Sequence, residues 1–137
     1  MFKLIYCLML ISFALGAQEK PEVDFTVPAT WKSKAGKYIG RPYEFSLSAK
    51  ETVYLRRYFR SENTAWAVAK NWRRQLALPI FSPSEFKAAC TLLENGAEFV
   101  HFKGKSKDVV GFFYKLHSNL WTCHFTASKK RIAEILN

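Results

Sequence analysis

Three sets of side chains in this 137-residue sequence could do chemistry: histidines near a carboxylate, a pair of cysteines, and arginines interleaved with tyrosines. His101 and His124 fall in strand-like segments, with Glu98 three residues before the first. Two imidazoles and a carboxylate suffice as zinc ligands, yet the spacing matches no metal motif. Histidines with ordinary partners explain it as well, so no metal is expected. Cys123 stands next to His124, but adjacent strand residues point to opposite faces and cannot meet directly. There is no His-Glu-x-x-His, no Gly-x-Ser-x-Gly and no glycine-rich phosphate loop. No catalytic residue and no cofactor are expected, and a metal- or thiol-dependent enzyme using His101, His124 or Cys123 is the remote alternative.

The basic residues offer more. Lys and Arg number 21 against 11 Asp and Glu, a formal charge of +10. Arg56, Arg57 and Arg60 lie beside Tyr54 and Tyr58, a mixture suited to polyanions through phosphate pairing and stacking. Trp66, Lys70, Arg73 and Arg74 form a second candidate binding group. Lys103, Lys105 and Lys107 mark one hairpin. Lys129, Lys130 and Arg131 open the final helix, at the end whose dipole disfavours cations.

The environment of these groups is set by residues 1–17. Lys3 precedes the apolar run Leu4 to Leu15, and Gly16-Ala17 leads into polar Gln18-Glu19-Lys20. This is the three-part pattern of a secretory signal peptide, too short for comfortable membrane spanning. Export is therefore expected, to a periplasm or the outside. Residues 18–30 read as an extended polar segment and residues 31–137 as one globular domain. Removal of Cys7 with the leader leaves Cys90 and Cys123. In an exported chain these invite one disulfide, and two free thiols acting as small hydrophobes is the open alternative.

Periodicity supplies the elements. A short strand is expected at Val23–Val27, a loop from Pro28 to Gly40, and strands at Arg41–Ser48 and Thr52–Phe59. In the second of these, Val53, Leu55, Arg57 and Phe59 share one face, and Tyr54, Arg56 and Tyr58 the other. Ser61 or Asn63 caps a helix to about Leu76, with Ala65, Val68, Ala69, Trp72 and Leu76 on one stripe. Pro79 stops it. Ser82-Pro83-Ser84-Glu85 is a capping box for a second helix carrying Phe86, Ala89, Leu92 and Leu93. Strands follow at Ala97–Lys103, Val109–Leu116 and Leu120–Thr126, the middle one apolar enough for burial on both faces. Ser128 then caps a terminal helix buried through Ile132, Ile135 and Leu136. The fold class is α+β, an antiparallel sheet of about five to six strands with helices on both faces.

The end of the first helix, Asn71-Trp72-Arg73-Arg74-Gln75-Leu76-Ala77-Leu78-Pro79, resembles a family of uncharacterised exported bacterial proteins. Their signature reads roughly Asn-Val-Asn-Arg-Trp-Arg-x-Gln-Leu-Gly-Leu-Pro. Trp72, Arg73, Gln75, Leu76, Leu78 and Pro79 match, whereas the signature asparagines are Val68 and Lys70 here and its glycine is Ala77. The element order from about Pro28 to Leu136 is similar too, as are Trp31 and Trp121. The resemblance implies an α/β/α sandwich like that of PsbP, whose members bind protein partners or assist assembly, and a Gram-negative envelope. It implies no catalytic residue. Trp72, Gln75 and Pro79 read as structural parts of the motif.

Two functions are carried forward. The first is a non-catalytic envelope module that engages a protein partner. The second is a module for anionic surfaces, such as lipid headgroups or cell-wall polymer, motivated by the basic charge. Nucleic acid is not expected as a partner outside the cytoplasm.

Overall fold

A computed structural model of the chain describes residues 32–35, 43–59 and 61–137. The expected leader at 1–17, the extended segment at 18–30 with its short strand, Trp31 and Arg60 lie outside the described residues.

Seven strands form one sheet: β1 (Lys32–Ala35), β2 (Tyr43–Ser48), β3 (Glu51–Phe59), β4 (Thr91–Leu92), β5 (Glu98–Lys103), β6 (Lys107–Leu116) and β7 (Asn119–Ser128). Their order is β1-β2-β3-β7-β6-β5-β4, and every neighbouring pair is antiparallel. Two meanders therefore meet at the β3–β7 seam. Between them the chain runs through α1 (Thr64–Gln75) and α2 (Pro83–Ala89), and α3 (Lys129–Leu136) follows β7. The class is α+β, with more strands than expected. The additions are β1, inside the segment read as a loop, and two-residue β4. Neither Lys-Ser-Lys-Ala nor Thr-Leu has an apolar alternation, so backbone pairing with β2 and β5 makes them strands.

Apolar residues of β6 divide by parity. Val110 and Phe112 join a core with Phe45, Val53, Leu55, Cys123, Phe125 and the α3 residues Ile132, Ile135 and Leu136. Val109 and Phe113 join another with Val100, Phe102, Leu120 and the α1 residues Val68, Ala69 and Trp72. The near-continuous apolar run of β6 thus serves two cores at once.

Two helix starts follow their capping chemistry, whereas Asn63, at the N-cap of α1, makes no side-chain cap hydrogen bond. Ser82 Oγ accepts from Glu85 N, and Ser82 N donates to Glu85 Oε1, completing the expected box. Helix α2 nevertheless stops at Ala89 and buries no residue fully. Leu92 is exposed in β4 rather than packed on a helical stripe. Ser128 Oγ accepts from Arg131 N at the start of α3. At the end of α1, Leu78 N donates to Arg73 O and Ala77 N to Arg74 O, which is a Schellman closure with Ala77 at φ 54°.

Candidate functional site

On β3 the side chains at positions 52, 54 and 56 alternate with buried Val53 and Leu55. On β7, His124 and Thr126 alternate with buried Cys123 and Phe125 in the same way. Register sets Tyr54 opposite His124 and Arg56 opposite Thr122, so two polar stripes stand side by side. Lys50 at the β2–β3 turn, Gln75 at the end of α1 and Lys107 at the start of β6 complete the ring. Together Lys50, Thr52, Tyr54, Arg56, Gln75, Lys107, His124 and Thr126 line a concavity of about 350 Å³, within the size range of small-molecule sites.

Charge and hydrogen-bonding capacity define what this hollow can hold. Three of the eight lining residues are basic and none is a carboxylate. Among the described residues no ion pair neutralises Lys50, Arg56 or Lys107, while the described pairs occupy Lys115, Lys129 and Arg131. Arg56 Nη1 donates to Tyr58 Oη at 3.2 Å, its guanidinium lies 5.9 Å from the Tyr54 ring centre, and its Nε is buried without a hydrogen bond. Packing and a phenol thus orient this guanidinium, leaving most of its fork for an anionic acceptor. Buried Glu44 sits across from Tyr54 in the β2–β3 register but is not among the lining residues.

The wall is stiffened by a row of rings. Trp72 stacks on Phe113 and on His124 at 4.8 Å each, and His124 stacks on Tyr54 at 5.2 Å. The row reaches from the α1-side core to the edge of the hollow. Trp72 can approach the sheet because residue 111 is glycine. A Cβ there would overlap Cζ3 of Trp72 and lie 2.7 Å from its Cη2. Thr126 Oγ1 donates to Gln75 Oε1 at 3.3 Å, tying the end of α1 to β7 across the site.

Sequence-expected binding residues scatter. Arg56 alone of them lines the hollow. Arg57 points away, exposed, with its guanidinium 5.9 Å from the ring centre of Trp121, which packs on the α3-side core. Adjacent strand residues cannot share a face, which is why the Arg56–Arg57 pair splits. Arg60 lies outside the described residues. Trp66 Nε1 donates to Phe81 O at 2.9 Å, and Lys70 Nζ sits 3.5 Å from the centre of the Trp66 ring. Arg73 donates through Nε and Nη2 to Pro79 O at 3.2 and 3.1 Å, with its guanidinium 4.4 Å from the Phe81 ring centre. Trp66 and Arg73 secure the proline turn, Lys70 covers the Trp66 ring, and none of the three lines the hollow. Arg74 is exposed in the last turn of α1, where a cation suits the dipole. Of the motif residues, Trp72 is buried in the core and Gln75 is a lining residue.

Tyr54, Lys107 and His124, each noted in the sequence for a different reason, join the lining, and Lys50, Thr52 and Thr126 are the lining residues that sequence reasoning missed. Their signal is period two: positions 50, 52, 54 and 56 are all polar or amphipathic, as are 122, 124 and 126. What alternation does not supply is the pairing of β3 with β7.

The other chemically expressive groups are engaged elsewhere. His101 Nε2 lies 2.8 Å from Asp108 Oδ2, and Lys129 Nζ donates to Asp108 Oδ1 at 2.8 Å. Burial alone would raise the Asp108 carboxyl. The hydrogen bonds and charges of Lys129 and His101 outweigh that and hold it below its ordinary value. Arg131 pairs with Glu51 at 2.8 Å, so two of the three cations opening α3 are absorbed by carboxylates. His101, on the strand face opposite Val100 and Phe102, and His124, stacked on Trp72, are held by different partners. Among the described residues no group of three or more His, Cys, Asp or Glu could hold a metal ion.

Cys90 and Cys123 are free thiols, the second of the two alternatives that the sequence left open. Cys123 is buried in the α3-side core, and Cys90 packs against the α1-side core, so the sheet separates them. Burial pushes both thiols up to about 12, with Glu98 adding to the shift at Cys90. Neither is a nucleophile near neutral pH.

No protein-family model matches this chain, and no curated protein matches it at a significant level.

Proposed function

We propose that this chain is an exported, non-catalytic binding module that recognises an anionic ligand through the concavity on β3 and β7. The observation that carries the reading is the ring of Lys50, Arg56 and Lys107 around a hollow with no lining carboxylate. Its other walls are hydroxyl, amide and imidazole groups that can hydrogen-bond an anion's oxygens or its attached group. Neither thiol is available as a nucleophile, both being deeply protonated. This ring of cations favours the anionic-surface reading over a protein-partner module.

Export to a periplasm or beyond, in a Gram-negative bacterium, belongs to the same proposal and rests on residues 1–17. So does an α/β/α architecture of PsbP type, with helices on both faces, which the two cores on either side of β6 support. Among the described residues no helix is long and apolar enough to cross a membrane.

Binding of the purified chain to a sulfated polysaccharide tests the reading. The expected result is an affinity that falls on the order of tenfold or more as salt rises from low to about 0.3 M. Binding insensitive to salt, or no binding at any salt, overturns it.

A further inference from the structure

Resting on that anion-binding reading, we infer that the concavity is a site for a phosphate monoester carried on a polyol or sugar. The charge balance favours phosphate over carboxylate. Three cations, Lys50, Arg56 and Lys107, line the hollow without a lining carboxylate. A phosphate monoester brings about −1.5 to −2 charges and three strong acceptor oxygens at neutral pH. A carboxylate brings one charge and two oxygens, too few acceptors for a guanidinium fork and two ammonium groups.

The remaining space has its own chemistry. A volume of about 350 Å³ is far larger than a lone oxyanion needs, so the phosphate arrives attached to something. The lining also contains Thr52, Gln75 and Thr126, with polar atoms that an alkyl group would strip of water without replacing. Hydroxyl groups satisfy them. Tyr54 is already stacked on His124 and flanked by Arg56, so the rings in the wall serve as support and not as an open platform for a base. Polyol or sugar is therefore the ester that fits. Free sugar phosphates and the phosphorylated headgroups of lipids share this chemistry.

Arg56 and Arg57 supply a matched contrast. They are neighbours with the same charge, but only Arg56 lines the hollow, while Arg57 lies over Trp121. Isothermal titration of the purified full chain with glycerol 3-phosphate, and with glycerate as the carboxylate counterpart, reads the site directly. The expected result is tighter binding of glycerol 3-phosphate. Arg56→Gln should weaken it roughly tenfold or more, and Arg57→Gln less than about twofold. Lys107→Gln, at an exposed strand end, gives a second reading in the same direction should Arg56→Gln fail to fold. Vesicles containing phosphatidic acid separate the sources: much tighter binding there marks a lipid headgroup, and equal or weaker binding marks a soluble ester. Equal loss in the Arg56 and Arg57 variants, equal affinity for glycerate, or no binding of glycerol 3-phosphate overturns the inference. If the chain still binds sulfated polysaccharide in a salt-dependent way, the broader anion-binding reading stands without it.

Discussion

Ala77 ends α1 at φ 54°, a left-handed conformation that costs an L-residue with a Cβ about 1–2 kcal/mol. Ala77→Gly should therefore stabilise the chain, by about 0.5–1 kcal/mol after the greater freedom of glycine in the unfolded state is set against the relief. Urea denaturation monitored by circular dichroism measures it, and a loss of stability would contradict the Schellman geometry. Such residue-scale features were partly legible. Ser82 with Glu85, and Ser128, announced their caps because the chemistry is local. Arg73 reads from sequence as a candidate binding residue, because its structural target, the Pro79 carbonyl, depends on how the turn folds back. The choice between a disulfide and two free thiols stayed open in the sequence because cysteine count and compartment carry no information about which face each thiol occupies.

At the scale of elements, the packing of α1 on the sheet depends on one contact. Trp72 lies over Gly111 between Phe113 and His124. Gly111→Ala forces a methyl group into the indole ring, with Cys123 O only 3.0 Å away on another side. The expected cost is about 1–3 kcal/mol, the range for overpacking a filled core, together with altered near-ultraviolet circular dichroism as the Trp72 stack shifts. An unchanged midpoint and spectrum would show that α1 is not seated there. The strands and α1 were readable from alternation and helical stripe, since each buries a side large enough to leave a pattern. Strands β1 and β4 left none, because their hydrogen bonds come from the backbone of β2 and β5. The overextension of α2 to Leu92 and Leu93 has the same origin. Their apolar side chains fit a helical stripe, but Leu92 pairs with Glu98 in β4 instead.

At the scale of the whole molecule, the site exists because the two meanders close at β3–β7. That seam sets the stripe of Lys50, Thr52, Tyr54 and Arg56 against the stripe of His124 and Thr126, with Lys107 arriving from the adjoining hairpin. The sequence displayed each stripe and the overall basic charge, but its basic clusters were grouped by proximity along the chain. Proximity placed Arg57 beside Arg56, and Lys103 and Lys105 beside Lys107, although of these five only Arg56 and Lys107 reach the hollow. Long-range strand pairing, which no local pattern encodes, did the sorting. The most direct test of the anion site is an amide chemical-shift map of the labelled chain titrated with inorganic polyphosphate. Shifts concentrated at residues 50–56, 107 and 122–126 are the expected result. Shifts spread evenly over the basic surface, or centred on Arg57 and α3, would contradict a built site on this face.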